Sequence, residues 1–238
     1  MLAPLEPYRV QVPGLDASRG GFFYVPEFIS ASEESLLLHK QIDTAPLPKW
    51  KELAHRRLQY WGGQLSEKSG RLFVERLPPF MVDYPALVQR LRDTGAFAHS
   101  AHSEPNHCLV NEYLPGQGIM PHNDGSAYFP AVATISLASA ALLDVYAWNS
   151  EGDPQEYPAD PTFSLYQGRR SLLVTLGDAY TKYLHGIAAR REDAADDLAC
   201  VANGAALDAA GGIVPRGRRV SLTFRDVERV LHGIRLGQ

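Results

Sequence analysis

The sequence predicts an α+β fold that is predominantly β: an N-terminal helical layer followed by a double-stranded β-helix, a jelly roll related to the cupins. Three observations carry this expectation. Leucines recur at helical spacing behind a Ser30/Glu33 pair near the N-terminus. From about residue 105 onward, β-rich runs bounded by Pro, Gly, Asn and Asp dominate. No repeat interrupts the 238 residues, a length that allows one substantial core. The expected organisation is one domain over 1–238, with N-terminal helices in 1–104 and a jelly-roll core in 105–238.

Taken in order, ISASEESLLLHKQIDTA has the Ser-x-x-Glu spacing of a capping box ahead of an apolar periodicity, and reads as a helix. The segment PKWKELAHRRLQYWGG sets Lys49, Lys51, Arg56 and Arg57 among Trp50, Tyr60 and Trp61. Two readings fit it: a cationic, aromatic strip suited to a phosphate and a stacked base, or an amphipathic surface helix with snorkelling lysines. In YPALVQRLRDTG, Pro85 at the start and Gly95 past the end bracket a second helix. Strands follow at CLVNEYLPG, AVATISLASAALLDVYAW, SLLVTLGDAYTKYL and RVSLTFR. Loops are expected near 149–161 and 191–212; the alanines of the second also allow a short helix.

The stretch NEYLPGQGIMPHND carries the most chemistry. His122 and Asp124 sit at i and i+2 after a strand and a Pro-Gly turn, so in extended backbone both project to one face and can meet one ion. Eight His and fourteen Asp make roughly half a His-x-Asp pair expected by chance, so its place between two strands gives the pair its weight. Two histidines and a carboxylate on one octahedral face are what non-haem Fe(II) oxygenases use. For the third ligand His185 stands out, embedded at a strand end before Gly186. His99 and His102 lie in a polar stretch and read as solvated loop residues.

RVSLTFR, read as a strand, puts Arg219, Ser221, Thr223 and Arg225 on one face and Val220, Leu222 and Phe224 on the other. Two inward guanidinium groups need an anion, and a dicarboxylate suits their bidentate geometry; an exposed basic edge strand is the alternative. Asn111 and Tyr113 likewise share a face and offer an amide and a phenol.

Together, NEYLPGQGIMPHND, SLLVTLGDAYTKYLHGI and RVSLTFR, in that order from about Asn106 to Arg225, resemble the AlkB family of Fe(II)/2-oxoglutarate-dependent dioxygenases. The resemblance implies His122, Asp124 and His185 as iron ligands. It implies Arg219 at the distal carboxylate of 2-oxoglutarate and Arg225 near the proximal one, with Asn111, Tyr113 and Ser221 adding contacts. O2 is the second co-substrate, and the implied reaction hydroxylates an N-methyl group on a nucleobase, which collapses to formaldehyde and the unmethylated base. Residues 1–104 would then form a substrate-recognition lid, with Arg57, Tyr60, Trp61 and Tyr128 as candidate substrate contacts. One departure stands at Ala179-Tyr180, where many relatives carry an arginine.

Net charge −4 and a pI near 6.1 argue against tight, non-specific nucleic-acid binding, though not against a local basic patch. An alkylated, single-stranded or flipped base is the expected partner. The acidic balance leaves open the same iron chemistry on a protein or small molecule; a non-catalytic interaction module is the third reading. Two cysteines, with no leader-like opening and no membrane-length apolar run, predict a reduced intracellular protein of cytoplasm and nucleus. It is expected to be monomeric, with no obligate protein partner.

Overall fold

The computed structural model describes residues 4–66, 68–148, 158–193, 201–208 and 213–232. Two antiparallel sheets dominate it. In chain order the strands are β1 (Arg9–Val10), β2 (Gly20–Val25), β3 (Lys51–Leu53), β4 (Arg56–Trp61), β5 (Gly63–Ser66), β6 (Arg71–Val74), β7 (His107–Tyr113), β8 (Ile119–His122) and β9 (Tyr128–Leu137). They continue with β10 (Ala141–Ala147), β11 (Phe163–Gln167), β12 (Leu172–Gly177), β13 (Tyr183–Ile187), β14 (Glu192–Asp193), β15 (Val214–Pro215), β16 (Arg219–Val227) and β17 (Val230–Leu231). The large sheet runs β1-β2-β12-β9-β16-β7-β4-β3 and the small one β11-β10-β13-β8.

Side-chain alternation divides the large sheet into two working faces. Outward, Val220, Leu222 and Phe224 of β16, with Cys108, Val110, Ala133, Ile135 and Val174, are buried against a helical layer. Each large apolar side chain so buried stabilises by about 1.5–3 kcal/mol. Inward, Phe22, Tyr113 and Leu173 pack with Leu143, Val145, Phe163 and Leu165 of the small sheet. Between the sheets, the centre is a cavity rather than a filled core.

The helical layer starts as the sequence predicts. Ser30 Oγ accepts from Glu33 N and the Glu33 carboxylate accepts from Ser30 N, a complete capping box. Helix α1 (Ala31–Ser35) then widens into a π-helical turn, Leu36–Ile42, which keeps Leu37, Leu38 and Ile42 buried. After the short α2 (Pro79–Val82) comes α3 (Leu87–Asp93), which begins two residues beyond Pro85 because Ala86 takes a left-handed conformation, φ 58°. Gly95 closes it at φ 76°, as expected of a residue past a helix end. Among the described residues the remaining α-helices are α4 (Asp178–Thr181) and α5 (Gly204–Asp208), the latter inside the Ala-rich stretch; most of the expected 149–161 loop lies outside the described residues.

Residues 1–104 are not only helices. They supply β1, β2, β3 and β4 to the large sheet, so the expected change of character near residue 105 is a change in strand density only. Lys51–Trp61 forms a hairpin, not a surface helix: β4 pairs along β7, and Leu58 and Gln59 are both buried, one on each face of the sheet. Among the described residues, no helix is long and apolar enough to cross a membrane.

Candidate active site

His122 ends β8 and His185 sits in β13, and the two are register partners across the small sheet. Their ring centroids are 4.5 Å apart. Asp124 follows two residues after β8, its Oδ1 3.9 Å from His122 Nε2. The donor atoms of all three residues lie within 4.8 Å of one another. A first-row divalent ion bonds N and O donors at about 2.0–2.2 Å, and donor atoms grouped this closely are a set that could hold one ion.

The protonation states suit cation binding. The Met120 carbonyl can only accept, so in the 2.8 Å contact His122 Nδ1 is the donor, and Nε2 is the ring nitrogen on the Asp124 side. Burial, reinforced by His122, lowers His185 to about 4, which keeps it neutral at physiological pH. For Asp124, burial works toward the protonated form but the Arg225 charge overrides it, holding the carboxyl at about 2. Arg225 grips that carboxylate as a fork, Nη2 to Oδ1 at 2.6 Å and Nε to Oδ2 at 2.9 Å. Arg225, expected beside a co-substrate carboxylate, thus also grips a member of the donor set and remains on the cavity wall, and among the described residues its Nη1 has no partner.

Arg219 is the other inward guanidinium. It is buried and has no carboxylate partner among the described residues; Nη2 donates to Ser136 Oγ at 2.9 Å and to Gln167 Oε1 at 2.8 Å, joining the two sheets. Burial lowers it to about 10, still cationic at neutral pH, and its Nε has no partner among the described residues. The arrangement is a buried positive charge held by neutral groups, as an anion-binding site requires.

A cavity of about 640 Å³ contains these groups, large enough for a small dicarboxylate and a heterocycle together. Asn111, Tyr113, Tyr128, Ser221 and Thr223 line it, as do Leu143, Val145 and Leu173. Among the described residues, Asp124 is the only carboxylate on its wall.

The hairpin residues divide by parity. Arg57 pairs with Glu112 at 2.6 Å and lies over Trp50 on the helical face. Trp61 packs on Phe80 and donates to Gln59. Both point away from the cavity, correcting their expected substrate role: in a strand, alternate residues share a face, and the inward set is Arg56, Leu58 and Tyr60. Tyr60 lies beside the cavity rather than on its wall, 6.3 Å from the His107 ring, which in turn stacks on Tyr128 at 6.1 Å. Arg56 and His55 are on the wall, and Arg56 Nε donates to Asn111 Oδ1 at 3.3 Å. Sequence reasoning named Arg56 in the basic strip but could not choose its face without knowing that β4 pairs with β7. Ser136 and Gln167 carried no recognisable signal.

Residues 21–225 match the profile of the 2OG-Fe(II) oxygenase superfamily. The chain belongs to it. As an oxygenase of this family it uses Fe(II), 2-oxoglutarate and O2, and the donor set of His122, Asp124 and His185 fits the iron. Its similarity to an ALKBH6 protein places it within the AlkB family. It is 43% identical over 213 residues to "Probable RNA/DNA demethylase ALKBH6" of Danio rerio, covering 88% of this chain and 86% of that protein. It is also 30% identical to "tRNA (carboxymethyluridine(34)-5-O)-methyltransferase ALKBH8" of Mus musculus, covering 91% of this chain but 32% of that longer protein. "The structure of OsALKBH1" shares the fold, with a TM-score of 0.53 at 15% identity over 87% of this chain and 99% of that one.

Proposed function

We propose that this oxygenase removes N-alkyl groups from nucleobases in DNA or RNA. The observation that carries the reading is the convergence of His122, Asp124 and His185 beside the uncompensated Arg219 in one cavity. The similarity to a protein named as an RNA/DNA demethylase supports the substrate class. Bound Fe(II), with O2 and 2-oxoglutarate, supplies an oxidation that inserts one oxygen atom into a substrate C–H bond and the other into succinate, with release of CO2. A hydroxymethyl group on a base nitrogen then leaves as formaldehyde.

The chain's own residues do the rest. Arg219 holds the distal carboxylate of 2-oxoglutarate, with Ser221 and Tyr113 alongside and Asn111 toward the proximal end. Arg225 fixes Asp124 in its ionised form. Apolar walls from Leu143, Val145 and Leu173 keep bulk water out. Tyr128 presents a ring for the base, and Arg56 places a cation on the cavity wall for a neighbouring phosphate. We assign these parts to one domain over 1–238, working as a monomer in cytoplasm and nucleus.

Anaerobic titration with Fe(II) and 2-oxoglutarate tests the chemistry: the protein is expected to show a metal-to-ligand charge-transfer band, and His122→Ala to lose it. Failure of the wild type to show that band would overturn the assignment. Succinate and formaldehyde release with methylated oligonucleotides tests the substrate. For Arg56→Gln, the KM for oligonucleotide is expected to rise, with the slope of log affinity against log salt reduced by about 1. An unchanged slope removes Arg56 from the substrate path. The net charge of −4 favours a second reading, a protein or small-molecule substrate, for which turnover would be insensitive to ionic strength. The complete ligand set with both arginines argues against a non-catalytic module.

A further inference from the structure

Two of the three metal-binding side chains are held by sheet pairing, and the third is not. His122 and His185 face each other across the β8–β13 ladder, but Asp124 lies beyond the last residue of β8, where no ladder bond fixes the backbone. Arg225 grips its carboxylate without setting where the main chain runs. A closed set of hydrogen bonds around the neighbouring residues does that. Asn123 Oδ1 accepts from Gly125 N at 2.8 Å, forming a side-chain turn with Asp124 at its middle. Gly125 takes φ 93°, a conformation that a side chain would strain. Asn123 Nδ2 then donates to the Tyr180 carbonyl at 2.8 Å, and the Tyr180 hydroxyl donates back to the Gly125 carbonyl at 2.8 Å. Tyr180 is buried in α4, which leads directly into β13 and His185.

We infer that Asn123 and Tyr180 are positioning residues, a brace that holds Asp124 at a set distance from His185 and thereby sets the affinity of the site for a divalent ion. The inference rests on the metal reading proposed above and adds to it the middle residue of the His-x-Asp motif and a tyrosine 57 positions away along the chain. Both strands that carry ligands are tied through this brace, so loosening it separates the carboxylate from the imidazoles without removing any of the three. Groups that orient metal ligands typically contribute tenfold to a hundredfold in affinity.

Mn(II), which does not turn over, is the probe, with 2-oxoglutarate present and free ion followed by electron paramagnetic resonance. Asn123→Ala is expected to raise the Kd for Mn(II) at least tenfold and Tyr180→Phe several-fold, with a broadened spectrum of the bound ion. Asn123→Ser, which keeps an acceptor for Gly125 N, should recover part of the loss. Urea unfolding of the metal-free proteins separates the roles: a lowered midpoint with unchanged Kd in both variants means a merely structural contact and overturns the brace. Tyr180→Phe deletes one oxygen atom, so it keeps the test open if Asn123→Ala does not fold. No Mn(II) binding by the wild type, matched by His122→Ala, would sink the metal reading and the brace together; normal wild-type binding with unaltered variants would sink the brace alone.

Discussion

Asp124→Ala is expected to abolish 2-oxoglutarate turnover and to destabilise the metal-free protein by about 3–5 kcal/mol, the cost of leaving one partner of a buried ion pair alone. The stability loss follows from geometry. The Arg225 side chain is 6% exposed and directs two of its nitrogens at Asp124, while Nη1 already lacks a partner. With the carboxylate gone, its charge is buried uncompensated. Replacing both, Asp124→Leu with Arg225→Met, is expected to restore most of the urea midpoint and none of the succinate release, since well-packed apolar residues often match a buried pair in stability. If Asp124→Ala keeps the wild-type midpoint, the two side chains do not depend on each other as their geometry requires.

Arg219→Met should give the opposite combination, a more stable protein that cannot use its co-substrate. In the metal-free protein Arg219 is a buried cation whose hydrogen bonds, among the described residues, go to the neutral Ser136 and Gln167. Removing an uncompensated charge stabilises the resting fold. The same change deletes the charge-assisted bonds to the distal carboxylate, a loss of about 3 kcal/mol for two such bonds. At 1.4 kcal/mol per tenfold, the KM for 2-oxoglutarate is expected to rise by roughly a hundredfold. Initial rates of CO2 release against 2-oxoglutarate concentration, with a thermal melt of the metal-free variant, provide the measurement. An unchanged KM would move the carboxylate elsewhere.

How much of this was readable before the structure depended on how far each feature reaches along the chain. His122 and Asp124 are neighbours, and the Arg219/Arg225 parity is a property of one strand, so local alternation was enough. The capping box at Ser30 and Glu33 was equally local. The hairpin was not, because whether Arg56 or Arg57 looks inward depends on β4 pairing with β7, some fifty residues on, and a run with lysines, arginines and tryptophans suits a helix face as well as a strand. Gln167 meets Arg219 from the opposite sheet across 52 positions, and nothing local marks it. Asn123 was hidden in plain view inside the motif, since its partner, Tyr180, belongs to a helical turn that periodicity does not reveal.

Strand β16 does two jobs with alternate residues, packing Val220, Leu222 and Phe224 under the helices while Arg219, Ser221, Thr223 and Arg225 face the cavity. A slip of one position during folding would send guanidinium groups into hydrocarbon and phenyl rings into the hollow interior. Such a misregistered chain has no half-working form, so assembling a stable pair of sheets and assembling a competent oxidant pocket are the same event.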